Sequence, residues 1–306
     1  MTKKTNSALC MNPRMLIVFL GLALALQCQS SHKKSTESSD TISQIDTANT
    51  DTISNITYML LSPNEILGEI FADKSTLNPL LINPKTNAIK YIDTKTQALN
   101  LGVYIADFAY LNLSENKTNA LEYFKIIRDL AQKLNIYGYF NEAFFNRIEK
   151  NLANNDSLIS ISKEMYYSMS DLLENAKRQN IFALISSGAM IESMYLSTMS
   201  IAKLSDYQSI AKKIFEQKYI FDNFYAYTAV YKKDKDVKSV LLQLETLKKI
   251  LEETEKKASE KIIINDKEKH IIIGGGEEIL LDEKIFNEFK NHVIKTRQDI
   301  ISVGNK

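Results

Sequence analysis

Asp107 and Glu192 are the residues whose setting most invites chemistry. Asp107 sits inside an apolar run at 99–113, LNLGVYIADFAYLNL, and Glu192 inside a second at 186–199, SSGAMIESMYLSTM. The runs echo one another: Gly102 answers to Gly188, Ile105 to Ile191, and an acidic residue follows in each. A carboxylate buried in such surroundings needs a partner or a shifted pKa. Facing each other, the two could bind a cation or the amine of a ligand. Alternatively each is paired with a Lys or Tyr, or turned to solvent. Gly102 and Gly188 each cost about 1 kcal/mol relative to alanine in a helix, so something local offsets them: close approach of another helix, or room for a ligand.

Other reaction chemistry is hard to assemble. His32, His270 and His292 are the only histidines, and no two are spaced to hold a metal. Glu288 and His292 stand four apart, yet no Glu-x-x-His pair exists to build a di-iron bundle. Ser186-Ser187-Gly188 lacks the Gly-x-Ser-x-Gly elbow. Gly274-Gly275-Gly276 lacks the Gly-Lys-Ser/Thr ending of a phosphate loop and reads as a turn. The aromatic residues from Phe215 to Tyr231 could stack on a sugar, but a chain without Trp makes interhelical packing the default. No enzyme, cofactor or metal is expected.

The elements that must position the two acids read as helices. Four prolines and nine glycines in 306 residues leave little turn punctuation, which favours long helices. Asn64 is placed to cap a short helix through Phe71, and residues 74–95 read as loop. Helices follow from Thr96, from Thr118 (Leu121, Phe124, Ile127, Leu130, Leu134), around Phe140 to Leu152, and after Asn155-Asp156 (Leu158, Ile161, Met165, Met169, Leu172). The order then repeats. Residues 182–199 echo the first helix, Ser205-Asp206-Tyr207-Gln208 reads as a capping box, the aromatic region takes the third place, and Val237, Val240, Leu244, Leu247 and Leu251 stripe the fourth. Matched positions lie about 79 to 86 residues apart. The expected fold is mostly α: a duplicated four-helix unit forming a helical bundle, repeat 1 at about 96–178 and repeat 2 at about 179–258. A small β-hairpin or meander follows (261–273, with 279–281 as a third strand), then a last helix capped by Asp282 and carrying Ile285, Phe289 and Val293, so that hairpin and helix fill 260–303.

Residues 1–27 read as an export signal, with Lys3, Lys4 and Arg14 ahead of an apolar run too short for a comfortable membrane span. Cys28 stands just after that run, where the sequence resembles a lipobox and the cysteine would receive a diacylglyceryl group. The alternative is a signal-peptidase site at Ala23-Leu24-Ala25, leaving Cys28 a free thiol. Cys10 and Cys28 are the only cysteines, so the exported chain forms no internal disulfide. Removing Lys3, Lys4 and Arg14 from 38 basic residues leaves 35 against 37 acidic ones, a net charge of −2. Such a balance gives no footprint for nucleic acid. Residues 28–54 are polar and read as a disordered tether, and 55–306 as a single helical domain. In the tether Asp40-Thr41-Ile42, Asp46-Thr47-Ala48 and Asp51-Thr52-Ile53 resemble the Asp-Ser/Thr-apolar acceptor of Bacteroidetes O-glycosylation, which makes Thr41, Thr47 and Thr52 candidate sites. The competing reading is that Asp and Thr are common in tethers.

With this leader, this tether, the 99–113 run and the closing hairpin and helix, the chain resembles an uncharacterised family of helical lipoproteins of Bacteroidetes. The resemblance implies attachment to a membrane by lipid at Cys28 and an outer-membrane or periplasm-facing location; it carries no catalytic residues. Two functions are expected in order: an interaction or scaffold module for another envelope protein, then a small-ligand-binding lipoprotein with its pocket between the repeats near Asp107 and Glu192.

Overall fold

A helix that is apolar all the way round is stable only where it is covered all the way round. The computed structural model describes residues 58, 60–71, 77–136, 138, 141–258, 262–266, 269–273 and 277–302. Cys10, Cys28, His32, Thr41, Thr47, Thr52, Phe140 and the Gly274 to Gly276 turn lie outside them. Among the described residues the chain is mostly helical and forms an α-helical bundle, part of one compact unit from Asn55 to Lys306. In order the helices are α1 (Pro63–Ile70), α2 (Thr94–Leu113), α3 (Lys117–Lys133), α4 (Glu142–Asn151), α5 (Asn155–Asn175), α6 (Gln179–Met199), α7 (Gln208–Glu216), α8 (Lys218–Val230), α9 (Lys235–Glu252) and α10 (Glu283–Ile301).

The two apolar runs are the central helices. α2 is buried from Gln97 to Leu113, and α6 from Ile181 to Thr198 apart from Tyr195. They pack on each other, with α1 and α3 against α2, and α5, α8, α9 and α10 against α6. By length and composition α6 could cross a membrane, but 94% of its apolar window is buried inside the protein. The covering helices are amphipathic instead. On α9, Val237, Val240, Leu244, Leu247 and Leu251 are all buried, the face that period 3.6 brings to one side.

Asx residues start most of these helices. Side chains of Asp93, Asn116, Asn141, Asn154, Asp234 and Asp282 each accept from a first-turn amide, satisfying donors that have no intrahelical partner. Three expected caps are corrected. α1 is capped by Ser62, whose amide and hydroxyl both donate to Glu65 (2.9 and 2.8 Å); Asn64 is inside the helix and donates to Ser162 Oγ. α5 is capped by Asn154, one residue before the expected pair, because its side chain reaches Ser157 N at 3.0 Å. No capping box opens α7: Ser205 lies in a 3-10 turn, Leu204–Asp206, with its hydroxyl donating to Asp206, and Tyr207 precedes the helix.

Helix ends explain how so few glycines suffice. Glu115, Asn135 and Lys177 adopt φ of 57°, 56° and 56° just after α3's predecessor α2, after α3 and after α5. The following amides then reach back to Leu111, Ala131 and Leu173 carbonyls, the Schellman bond that closes a helix.

Between α9 and α10 the backbone forms β1 (Glu255–Ala258), β2 (Ile262–Asp266), β3 (Lys269–Ile273) and β4 (Glu277–Leu280). β2 pairs antiparallel with β3, Ile264 opposite Ile271, while β4 pairs with β1, Ile279 opposite Lys256. The meander expected from residues 279–281 is therefore absent: β4 finds its hydrogen-bond partner in a segment that the sequence reading placed at the end of repeat 2, and the two pairs are separate sheets.

Candidate functional site

The site begins with a contact that only glycine permits. A Cβ on Gly102 would overlap the Ile185 carbonyl oxygen and stand 2.7 Å from Ala189 N; one on Gly188 would overlap the Leu99 carbonyl and stand 2.8 Å from its carbon. α2 and α6 therefore touch backbone to backbone. Of the two compensations that the glycines could have had, this one is helix approach.

About one turn beyond each glycine, the crossing carries its acids. Asp107 and Glu192 are both fully buried, 0% exposed. They are not turned to solvent and neither is paired with Lys or Tyr. Arg297 of α10 reaches Glu192 from the side, itself only 7% exposed. Its Nε and Nη2 donate to Glu192 Oε2 and Oε1 at 2.9 and 3.0 Å, a bidentate pair, the strongest carboxylate geometry that arginine offers. Nη2 also reaches the Leu81 carbonyl at 3.3 Å, and the guanidinium lies 4.1 Å from the centroid of the Tyr195 ring.

No family model, curated protein or solved structure matches this chain. What the trio can do is thus read from its own geometry. Asp107 Oδ2 accepts from Asn83 N at 3.2 Å, while Oδ1 is buried without a donor. Burial, and after it the charge of Glu192 alongside, push the Asp107 carboxyl well above the ordinary carboxylate range. A proton on Asp107 resolves the orphan, because it can be donated to Glu192 across the crossing. Burial alone would lower the Arg297 pKa, but Glu192 overrides it and the guanidinium is held more firmly charged than usual. Arg297 is thus committed to Glu192, and Asp107, pushed toward its protonated form, adds no second charge to answer.

A polar layer joins the trio to the segment before α2, where two 3-10 turns, Pro79–Leu81 and Lys85–Lys90, lie. Asn83 is fully buried and gives its amide to Asp107; its Nδ2 donates to Tyr91 Oη at 3.1 Å and its carbonyl accepts from Tyr123 Oη at 2.6 Å. Tyr104 Oη donates to the Pro84 carbonyl (3.0 Å), and Asn78 N donates to Tyr110 Oη (2.7 Å). At the end of α10, Tyr91 Oη and Asn100 Nδ2 donate to the Ile301 and Ile300 carbonyls, which no further helix turn can satisfy. Burial raises the pKa of Tyr91, Tyr104, Tyr110 and Tyr123, so these hydroxyls stay protonated.

The other sequence candidates are spent on structure. Ser186 Oγ accepts from Tyr166 Oη (3.1 Å), and Ser187 Oγ donates to the Ala183 carbonyl. His292 is half-buried, with Nε2 3.2 Å from the Gln243 carbonyl. Phe215 stacks on Phe289 at 5.0 Å, and Phe221 and Phe224 are buried against each other, so much of the aromatic region faces the interior. A small apolar cleft among Leu61, Pro63, Ile66, Tyr166 and Met190 has as its polar lining the Tyr166–Ser186 pair, already bonded to itself. Among the described residues no three His, Cys, Asp or Glu gather as a metal would need.

Sequence reasoning missed Arg297, Asn83 and the tyrosines. For Arg297 a signal existed: it continues the buried stripe of Phe286, Phe289, Val293 and Ile300 on α10, and a cation at an apolar position of a helix implies a buried anion. For Asn83, set in a polar loop beside Pro84, local sequence held none.

Proposed function

We propose that this protein is a cell-envelope lipoprotein acting as an interaction or scaffold module without catalytic activity. The observation that carries the reading is the closure of the Asp107–Glu192–Arg297 set: the residues best placed for chemistry neutralise one another and tie α2, α6 and α10 together. The leader and Cys28 support attachment by lipid at the outer membrane or facing the periplasm, and the Asp-Thr triplets at Thr41, Thr47 and Thr52 support a glycosylated tether. In the fold we infer a duplicated four-helix unit, α2–α5 followed by α6–α9, with the β2–β3 hairpin and α10 as an appended closure. The reciprocal glycine contacts of α2 and α6, and an acid about one turn after each, favour the duplication.

The test is mass spectrometry of the N-terminal peptide from native membranes, with crosslinking and pull-down of the same material. A diacylglyceryl thioether on Cys28 and one envelope protein recovered in quantity are expected. An unmodified N-terminus overturns the anchor, and a crosslinked pull-down at background overturns the scaffold. Ligand binding at Asp107 and Glu192 is the second reading, favoured by the orphaned Asp107 Oδ1; there a ligand amine or cation would have to compete with Arg297. Calorimetry showing that simple amines and guanidines bind to the protein and not to Asp107→Asn would support it.

A further inference from the structure

We propose that the segment from residue 77 to residue 92 is a membrane-contact surface, which sets Leu80, Ile89 and Ile92 into the acyl region of an anionic bilayer with Lys85 and Lys90 at its phosphates. The three most exposed large hydrophobic side chains among the described residues are Leu80 at 90%, Ile89 at 81% and Ile92 at 81%. Single exposed aliphatics need no explanation; three on one short segment do.

The segment is held in this state from below. Asn83 and Tyr91 are hydrogen-bonded to each other and fully buried, which folds the segment back on itself, while Ile89 and Ile92 on either side of Tyr91 point outward. Asp107, Tyr104, Tyr110, Tyr123 and Arg297 each bond its backbone. A loop so pinned cannot tuck its apolar tips inward. The buried polar set thus acquires a second consequence, that of presenting a surface.

Charge selects the occupant. No Asp or Glu lies between residues 77 and 92, and Lys85 and Lys90 are both exposed; Asp93, next to Ile92, is exposed too but turns its carboxylate to the Thr96 amide and hydroxyl as the cap of α2, so the two lysines set the charge of the segment. Aliphatic tips collared by lysine suit an interface whose inner layer is hydrocarbon and whose outer layer is phosphate. The proposal takes from the lipoprotein reading only the nearness of a membrane. The proposed tether, which begins at Cys28 and ends just before the described residues, would keep this surface within reach of one.

The test uses the chain from residue 29 onward, which keeps every described residue and lacks Cys28, so the fate of the lipid anchor has no bearing on the result. Because the chain has no Trp, Ile89→Trp provides a single reporter. With vesicles of phosphatidylglycerol and phosphatidylethanolamine its emission is expected to shift to the blue and to be quenched by brominated acyl chains; with phosphatidylcholine alone neither should occur. Replacing Leu80, Ile89 and Ile92 together by Ser should weaken vesicle binding by about tenfold or more, with an unchanged circular dichroism spectrum because all three are exposed. Lys85→Gln with Lys90→Gln should weaken it less and remove most of its salt dependence. Absence of quenching, or full binding by the triple variant, overturns the proposal. So does a parent dimer in sedimentation that the triple variant converts to monomer, since the patch would then belong to a second copy of the chain.

Discussion

Asp107 on α2 and Glu192 on α6 lie at the same crossing, equally removed from water, and meet different partners. Glu192 has a guanidinium bonded through two nitrogens, whereas Asp107 has one backbone amide and a carboxylate neighbour. One cation cannot compensate two buried anions, so the acid without it is pushed toward its protonated form. The difference teaches that burial raises the cost of a charge at both positions, and the compensating partners decide which acid bears it.

Removing the cation should break the comparison most severely. Arg297→Leu leaves the Glu192 carboxylate without its cation in a dry interior, with an expected loss of about 3 to 5 kcal/mol in urea unfolding at pH 7 and a smaller loss in mild acid, where protonation removes the uncompensated charge. A loss of similar size at both pH values would show that packing over Tyr195, and not charge, makes Arg297 matter.

Disturbing the crossing itself comes next. Gly102→Ala places a methyl against the Ile185 carbonyl, and separating two packed backbones should cost about 3 kcal/mol, although alanine favours a helix by about 1. Gly68 in α1 has nothing within 4 Å of an added Cβ, so Gly68→Ala should gain stability by up to about 1 kcal/mol. Equal effects of the two substitutions on Tm would remove close approach as the role of Gly102.

The finest probe is the proton on Asp107. Its folded pKa is raised above the unfolded value, so between the two the folded chain holds a proton that the unfolded chain has released, and stability falls as pH rises through that window. Asp107→Asn keeps an acceptor for Asn83 N and a donor toward Glu192 without needing a proton. It should match the parent near pH 4, exceed it increasingly above, and remove up to about 1.4 kcal/mol per pH unit from the slope. A parent profile as flat as the variant's would mean that Asp107 is ionised.

The sequence read by itself delivered both apolar helices, their glycines and acids, the stripe of α9 and the cap of α10 at Asp282. Each is a local pattern: period 3.6 records which face of a helix is dry, and Asx residues mark where amides lack partners. It misplaced the caps of α1, α5 and α7, because several polar residues in a row can each serve and tertiary contacts choose among them, as Ser162 takes Asn64. Only the tertiary structure decided that β4 pairs with β1, that Arg297 lies against Glu192 across 105 residues of chain, and that the loop beside Pro84 caps Asp107. Charge compensation and hydrogen bonding act over a few ångströms between groups that distant segments bring together, so they leave no periodic trace for a local reading to find.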